Sequence, residues 1–141
     1  MKLTGGQIHD AWNALRTIAA PGRHLEIPQM AKYRLARMKT ALDADYILVE
    51  NQRSAAVMEL GHETFADEEK TKSTGWGVDP GTPQFDEYVK RWNAIRGEMH
   101  EVNVQPITLA SLGDHARGIE AHEFELLGDL VIDTVPGEET K

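Results

Sequence analysis

The chain has 141 residues, a size that suits one domain with one hydrophobic core. Its 23 acidic side chains outnumber 15 basic ones, and the formal net charge of −8 argues against binding to nucleic acid phosphates or to an anionic membrane surface. The absence of cysteine excludes disulfides, thiolate catalysis and cysteine-based zinc sites. Because its first residues lack the apolar core of a signal peptide, the sequence predicts a cytoplasmic product.

The first predicted element is a helix over residues 5–20. Thr4 and Gln7 have the spacing of a capping box, in which each side chain accepts from the other residue's backbone amide. Gly5 and Gly6 stand between them and raise the alternative of a phosphate-binding loop, but no Gly-Lys-Ser/Thr step follows the pair. The spacing therefore favours a helix start. Since alanine is the better helix former, we expect Gly5→Ala to be neutral or slightly stabilising.

A long helix is predicted over residues 29–60, entered through Pro28. Apolar residues recur along it in nearly a heptad pattern that Arg53 interrupts, and no proline or glycine intervenes. At 1.5 Å per residue it forms a rod of about 45 Å, a length typical of helices that pack against a partner or a second subunit. Arg34 and Arg37, in its basic first part, are candidate interface residues. A solvated outer face is the alternative interpretation.

Residues 62–82 are predicted to form a long loop that is either mobile or in contact with a partner. The segment is charged, then rich in Gly, Thr and Pro, with Phe65 and Trp76 as its only large apolar side chains. Loops of about twenty residues are uncommon inside compact domains and are often functional. Phe65 and Trp76 are therefore candidate interface residues, with anchoring of Trp76 on the domain's own core as the alternative.

A helix over residues 83–99 follows, with Thr82 as its cap and Pro83 at its first position. Its apolar residues recur at alternating three- and four-residue steps, which indicates a face packed on the core. The side chains predicted to share that core are Trp12, Leu42, Phe85, Trp92 and Ile95.

The rest of the chain predicts a small sheet, one more helix and a tail. Residues 101–109 alternate in polarity and are expected to pair with residues 2–4. A helix is predicted over residues 120–131, and a polar tail over residues 134–141. Residues 1–141 then form a single, mainly α domain with four helices, one of them about thirty residues long, and a small antiparallel β element.

No motif in the chain marks a catalytic centre, and the sequence predicts neither a catalytic residue nor a cofactor. Three His-Glu dipeptides begin at His62, His100 and His122, but none extends to the His-Glu-x-x-His pattern of zinc enzymes. The histidines are interpreted either as ordinary surface residues or as part of a composite metal site. The ligands of that metal site would be His9, Asp10, His115 and Glu120.

Four stretches define the layout of the chain: "LTGGQIHDAWNALRTIA", "MAKYRLARMKTALDADYILVENQRSAAVMEL", "EVNVQPITLASL" after an acidic middle, and the closing "GIEAHEFELLGDLVI". Across nearly the full chain this layout resembles a group of small tailed-phage proteins of unknown function. The resemblance implies a phage or prophage accessory protein that binds or assembles rather than catalyses.

The sequence therefore predicts a non-enzymatic interaction or assembly protein. We expect it to self-associate or to join a larger assembly such as a virion, in the host cytoplasm or in the particle, without contacting nucleic acid or membrane directly. Two alternatives stay open at this point: an acidic inhibitor of a host defence or nucleic-acid-binding protein, and a metal-dependent hydrolase that uses histidine–carboxylate pairs.

Overall fold

The computed structural model describes residues 1–113 and 118–133. As predicted, the chain is mainly helical, with one long helix and small strand pairs. The helices are α1 (Gly5–Ile18), α2 (Gln29–Leu60), α3 (Pro83–Gly97) and α4 (Ala121–Leu127). The strands are β1 (Lys2–Thr4), β2 (His62–Phe65), β3 (Ser73–Gly77), β4 (Met99–Glu101), β5 (Ile107–Thr108) and β6 (Val131–Ile132). The tail predicted over residues 134–141 lies outside the described residues.

The capping box at the start of α1 is confirmed. Thr4 Oγ1 accepts from the Gln7 backbone amide at 3.1 Å, and Gln7 Oε1 accepts from the Thr4 amide at 2.8 Å. The expectation that Gly5 tolerates alanine is wrong, because a Cβ there would overlap the backbone carbonyl oxygen of Ile95 in α3. Gly5 and Gly6 are both buried, and they let the start of α1 pass close to the end of α3.

The long helix α2 begins and ends at the predicted residues. Its 32 residues span about 48 Å at 1.5 Å per residue. No helix in the described part of the chain is both long and apolar enough to cross a membrane. One side of α2 faces the interior, and its buried residues are Ala31, Leu35, Met38, Leu42, Val49, Ala56 and Val57.

The hydrophobic core lies between α1, the first half of α2 and the chain that follows α3. Fully buried side chains from these three parts meet there, including Ile8, Leu15, Leu42 and Leu112. The second half of α2 also contacts α3, where Arg91 of α3 donates to Glu59 at 2.6 Å. The long helix is therefore supported by α1 in both halves and by α3 in its second half.

The small antiparallel β element is confirmed, with changed bounds. β1 pairs antiparallel with β4, so the partner strand begins at Met99 rather than at residue 101. β5 pairs in parallel with β6, where a helix over residues 120–131 was predicted. That helix ends at Leu127 because Gly128 has φ +51°, outside the right-handed helical region.

The segment 62–82 contains an antiparallel hairpin where a long loop was predicted. β2 and β3 pair with Glu63 opposite Trp76. Asp67 organises the turn, because its carboxylate accepts from the backbone amides four and five residues later. Neither strand contains a fully buried residue, so the sequence shows no alternating apolar pattern by which strands are usually predicted.

Helix α3 packs on α1 and α2 with its apolar face only half-buried. The predicted common core is confirmed for Leu42, and Trp12 packs against it. It is wrong for Phe85, Trp92 and Ile95, because no residue of α3 is fully buried. The repeat along α3 therefore marks the side that contacts its neighbours, without the complete enclosure that a core position requires.

Candidate functional site

Two of the proposed metal ligands, His9 and Asp10, lie in α1 and already have partners within the chain. His9 Nε2 lies 2.6 Å from Glu50 Oε1 in α2. Arg96 of α3 donates to both carboxylate oxygens of Asp10, at 3.3 and 3.0 Å. Both residues thus join α1 to its neighbouring helices.

The other proposed ligands do not complete a metal site in the described structure. Glu120 lies 3.2 Å from His122, with both side chains about two-thirds exposed. His115 lies outside the described residues. Within residues 1–113 and 118–133, no group of three or more His, Asp or Glu side chains is arranged to hold a metal ion.

An aromatic stack links α1 to α2 beside His9. The Trp12 and Tyr46 rings are nearly parallel with centroids 3.8 Å apart, and Tyr46 also stacks on His9. Trp12 Nε1 donates to Asp43 at 2.6 Å, while Lys39 Nζ lies 4.6 Å from the Trp12 ring centroid. Asp43 therefore satisfies the polar end of Trp12, while the Trp12 ring stabilises the contact between α1 and α2.

Glu50 is the charged residue at the centre of this contact between α1 and α2. Arg53 donates to it through two nitrogens, the shorter contact being 2.9 Å. The Arg53 guanidinium lowers the pKa of Glu50, opposed by burial and assisted by the hydrogen bond from His9. Because Glu50 is held ionised, it serves here as an acceptor that joins α1 to α2 rather than as a proton donor.

The His-Glu dipeptides do not act as pairs of neighbouring side chains. His62 Nε2 instead lies 2.9 Å from Asp79, and hydrogen bonds to the Glu63 carbonyl and to Asp79 raise the pKa of His62. His100 Nδ1 lies 3.2 Å from Asp45 in α2, and its buried Nε2 has no partner among the described residues. These histidines fasten β2 and β4 to other elements.

The outer face of α2 carries a row of exposed side chains, which we call the outer stripe. Its positions follow a three- and four-residue repeat, and every one of them is exposed: 30, 33, 37, 40, 44, 47, 51, 54 and 58. The large apolar side chains on it or directly beside it are 48–60% exposed, and they are Met30, Tyr33, Ile47, Leu48 and Met58. The outer stripe lies opposite the buried series that contains Leu35 and Leu42.

The charges of α2 fall into two blocks. Residues 29–42 contain four cations and no carboxylate: Lys32, Arg34, Arg37 and Lys39. Residues 43–60 contain four carboxylates and one cation: Asp43, Asp45, Glu50, Glu59 and Arg53. The first half of the helix is therefore positive and the second half negative.

A groove of about 530 Å³, which we call the arginine groove, opens between the first half of α2 and residues 103–107. Arg34 and Arg37 line its helical wall, and Asn103 and Gln105 line the wall opposite. Among the residues that the structure describes, no carboxylate lines it. Neither arginine forms a hydrogen bond or an ion pair with another described residue. The structure therefore brings both predicted interface arginines to one open surface.

The other two predicted interface residues lie on the hairpin. Trp76 in β3 is 47% exposed, and Phe65 is half-buried where the register of the hairpin shifts. Trp76 is thus not anchored in the core. The structure places this pair on a different element from Arg34 and Arg37.

Sequence reasoning missed the residues whose role depends on distant partners. Glu50 contacts His9, which lies 41 positions earlier in the chain, and no local motif predicts that contact. Asn103 and Gln105 were missed for the same reason, because the sequence predicts only an extended segment there. The one available signal was the clustering of cations without carboxylates around Arg34 and Arg37.

Comparison with protein-family models, with curated proteins and with solved structures gave no match to this chain. Its function is therefore inferred from its own surfaces. Two of them, the outer stripe and the arginine groove, are exposed and carry side chains that the fold itself does not use.

Proposed function

We propose that the chain is a non-enzymatic interaction or assembly protein that works by pairing with a second copy of itself. The observation that carries this proposal is the outer stripe, with five large apolar side chains on it or directly beside it. Soluble monomers rarely expose large contiguous apolar patches, and such patches mark sites of interaction. Pairing removes this surface from water, which stabilises the complex by about 25 cal/mol for each Å² of apolar surface buried.

The charge blocks of α2 favour an antiparallel pair. A parallel pair would set the cations of one helix beside those of the other, whereas an antiparallel pair sets each positive half beside a negative half. A two-fold axis between Ala44 and Ile47 places Ala44 opposite the partner's Ile47 and Tyr33 opposite the partner's Met58. At the centre of the contact the small Ala44 then faces the larger Ile47, and a closed dimer results.

Such a dimer suits a phage or prophage assembly component, acting in the host cytoplasm or within the virion. The resemblance of the chain's layout to small tailed-phage proteins supports this setting, and the net charge of −8 argues for a protein partner over nucleic acid. The hydrolase alternative has less support, because His9 and Asp10 are engaged in contacts between helices.

The solution mass of the purified chain tests the proposal. By sedimentation equilibrium we expect twice the chain mass of 15.7 kDa. The double variant Ile47→Glu, Leu48→Glu brings carboxylates to the middle of the contact, where burial without a partner is unfavourable. We expect it to sediment as a monomer with an unchanged helical circular dichroism spectrum.

Val89→Glu is the matched control, since Val89 is an exposed apolar residue on α3. We expect this variant to sediment as the parent does. A parent protein that is monomeric at high concentration would refute the proposal, and so would a double variant that is folded and still dimeric.

A further inference from the structure

Arg34 and Arg37 are cations that the fold leaves unused in a chain with 23 acidic side chains. Lys39 and Arg53 on the same helix contact carboxylates, whereas Arg34 and Arg37 pair with no described residue. Both line the arginine groove. We propose that this groove binds an acidic segment of a partner protein in an extended conformation.

The spacing of the two arginines matches alternate residues of an extended peptide. Residues three apart on a helix have Cβ atoms about 5–6 Å apart. Alternate residues of a strand lie on one side, about 6.8 Å apart along the chain. Two glutamates separated by one residue therefore present one carboxylate to each guanidinium, and the guanidinium binds a carboxylate through two parallel hydrogen bonds.

The opposite wall of the groove offers an extended backbone that is free to pair. Residues 103–105 follow β4, with Val104 buried between the exposed Asn103 and Gln105. Within the described residues, none of these three forms a backbone–backbone hydrogen bond. A peptide laid along them adds a strand, so its main chain supplies affinity while its side chains supply specificity.

The composition of the groove favours a peptide over a simple anion or a nucleic acid. Met38, Ala41 and Ile107 give it an apolar lining, which suits a peptide with an apolar residue beside its carboxylates. The overall charge of −8 repels a polyanion, while the local pair of arginines still accepts two carboxylates.

The peptide site goes beyond self-association, and it shares Arg37 with the outer stripe. A second copy of the chain is nevertheless a rival source of carboxylates, because its acidic half would approach the basic half of α2 in an antiparallel pair. The test therefore records both peptide affinity and solution mass for each variant.

The probe is a fluorescein-labelled peptide, Leu-Thr-Glu-Thr-Glu-Thr-Leu, whose symmetrical sequence presents the same side chains in either strand direction. Its control carries Gln in place of both Glu. By fluorescence anisotropy we expect saturable binding of the glutamate peptide that weakens as salt rises. The glutamine peptide should bind at least about tenfold more weakly, since hydrogen bonds to charged groups are the stronger class.

Arg34→Gln and Arg37→Gln remove each guanidinium from an exposed helix position while keeping a good helix former. We expect each to weaken binding of the glutamate peptide about tenfold. Arg34→Gln should also leave the solution mass unchanged, because Arg34 lies off the outer stripe, whereas position 37 belongs to it. Lys90→Gln removes one exposed cation from α3 and should bind the peptide as the parent does.

Four results would overturn the proposal. Equal affinity for the two peptides, or unchanged affinity in both arginine variants, would show that the arginines do not bind the carboxylates. Displacement of the peptide by inorganic phosphate or single-stranded DNA at similar concentrations would identify a general anion site. Arginine variants that lose dimer mass while retaining the peptide would assign both cations to the second copy.

Discussion

Gly5 lies where the start of α1 passes under the last turn of α3. A methyl group at this position would overlap the carbonyl oxygen of Ile95, which belongs to the backbone and cannot move without shifting α3. We expect Gly5→Ala to lower the free energy of unfolding by about 1–3 kcal/mol, the usual cost of overpacking. Urea denaturation followed by circular dichroism measures the change.

Gly97, the last residue of α3, is the matched control for this substitution. A Cβ at Gly97 meets no heavy atom within 4 Å. Gly97→Ala should therefore be neutral or raise the free energy of unfolding by up to about 1 kcal/mol. Two substitutions with the same effect would contradict the close approach of α1 and α3.

Glu123 is the one fully buried charged residue among those described, and it fastens α4 to the chain after α1. Arg23 donates to both of its carboxylate oxygens, the Glu120 amide donates at 2.9 Å, and Thr17 Oγ1 donates at 3.2 Å. The Arg23 guanidinium lowers the pKa of Glu123, against burial, which raises it. The charged form therefore stabilises the fold above the ordinary value near 4.5, and that stabilisation is lost as the pH falls through the lower pKa of the folded state.

Glu123→Gln should lower the free energy of unfolding by about 2 kcal/mol at neutral pH, because Arg23 loses its charged partner. The deficit should shrink as the pH falls below 4.5 and the parent loses the same interaction. Urea denaturation across this pH range measures it. Glu125→Gln, on the exposed side of α4, is the control and should match the parent throughout. A deficit for Glu123→Gln that does not change with pH would contradict the ionised pair.

At the scale of elements, the two interhelical tryptophans should differ in their contribution to stability. Trp12 stacks on Tyr46 and donates to Asp43, whereas Trp92 lies on α3, where no side chain is fully buried. We expect Trp12→Ala to cost about 3–5 kcal/mol and Trp92→Ala about 1–3 kcal/mol. Urea denaturation of both variants provides the comparison. A larger loss for Trp92→Ala would mean that α3 is more deeply packed than its exposure indicates.

The helices were predictable because their signals are local. Thr4 and Gln7 cap α1 within one turn, and α2 runs without an interruption from Gln29 to Leu60. The hairpin of β2 and β3 has no comparable signal, since its strands bury no residue completely. Depth of burial along α3 was also unpredictable, because a repeat shows which side of a helix faces its neighbours but not how much surrounds it.

The candidate surfaces were predictable only in part, for the same reason. The sequence indicated Arg34 and Arg37 as cations on a helix. The opposite wall of their groove is formed by residues 103–107, which lie far away in the sequence. Trp76 was expected to be anchored or to contact a partner, and only the fold shows it exposed on a strand. A contact between segments that are far apart in the sequence produces no recognisable pattern in either segment.

At the scale of the whole molecule, α2 faces two environments. Its buried side completes the domain, and the outer stripe is free to contact a second copy. In the dimer that we propose, the charge blocks favour the antiparallel direction, because like halves repel and unlike halves attract. The proposed contact uses no element other than α2.

Disulfide trapping tests this self-association most directly, since the chain has no cysteine of its own. In the antiparallel pair Tyr33 lies opposite the partner's Met58, while each of these positions lies about 37 Å from its own copy, the length of 25 helical residues. A mixture of Tyr33→Cys and Met58→Cys proteins should therefore form a covalent dimer on mild oxidation, whereas either variant alone should not. Covalent dimers of each variant alone would show a parallel pair, and no covalent dimer in the mixture would contradict pairing through the outer stripe.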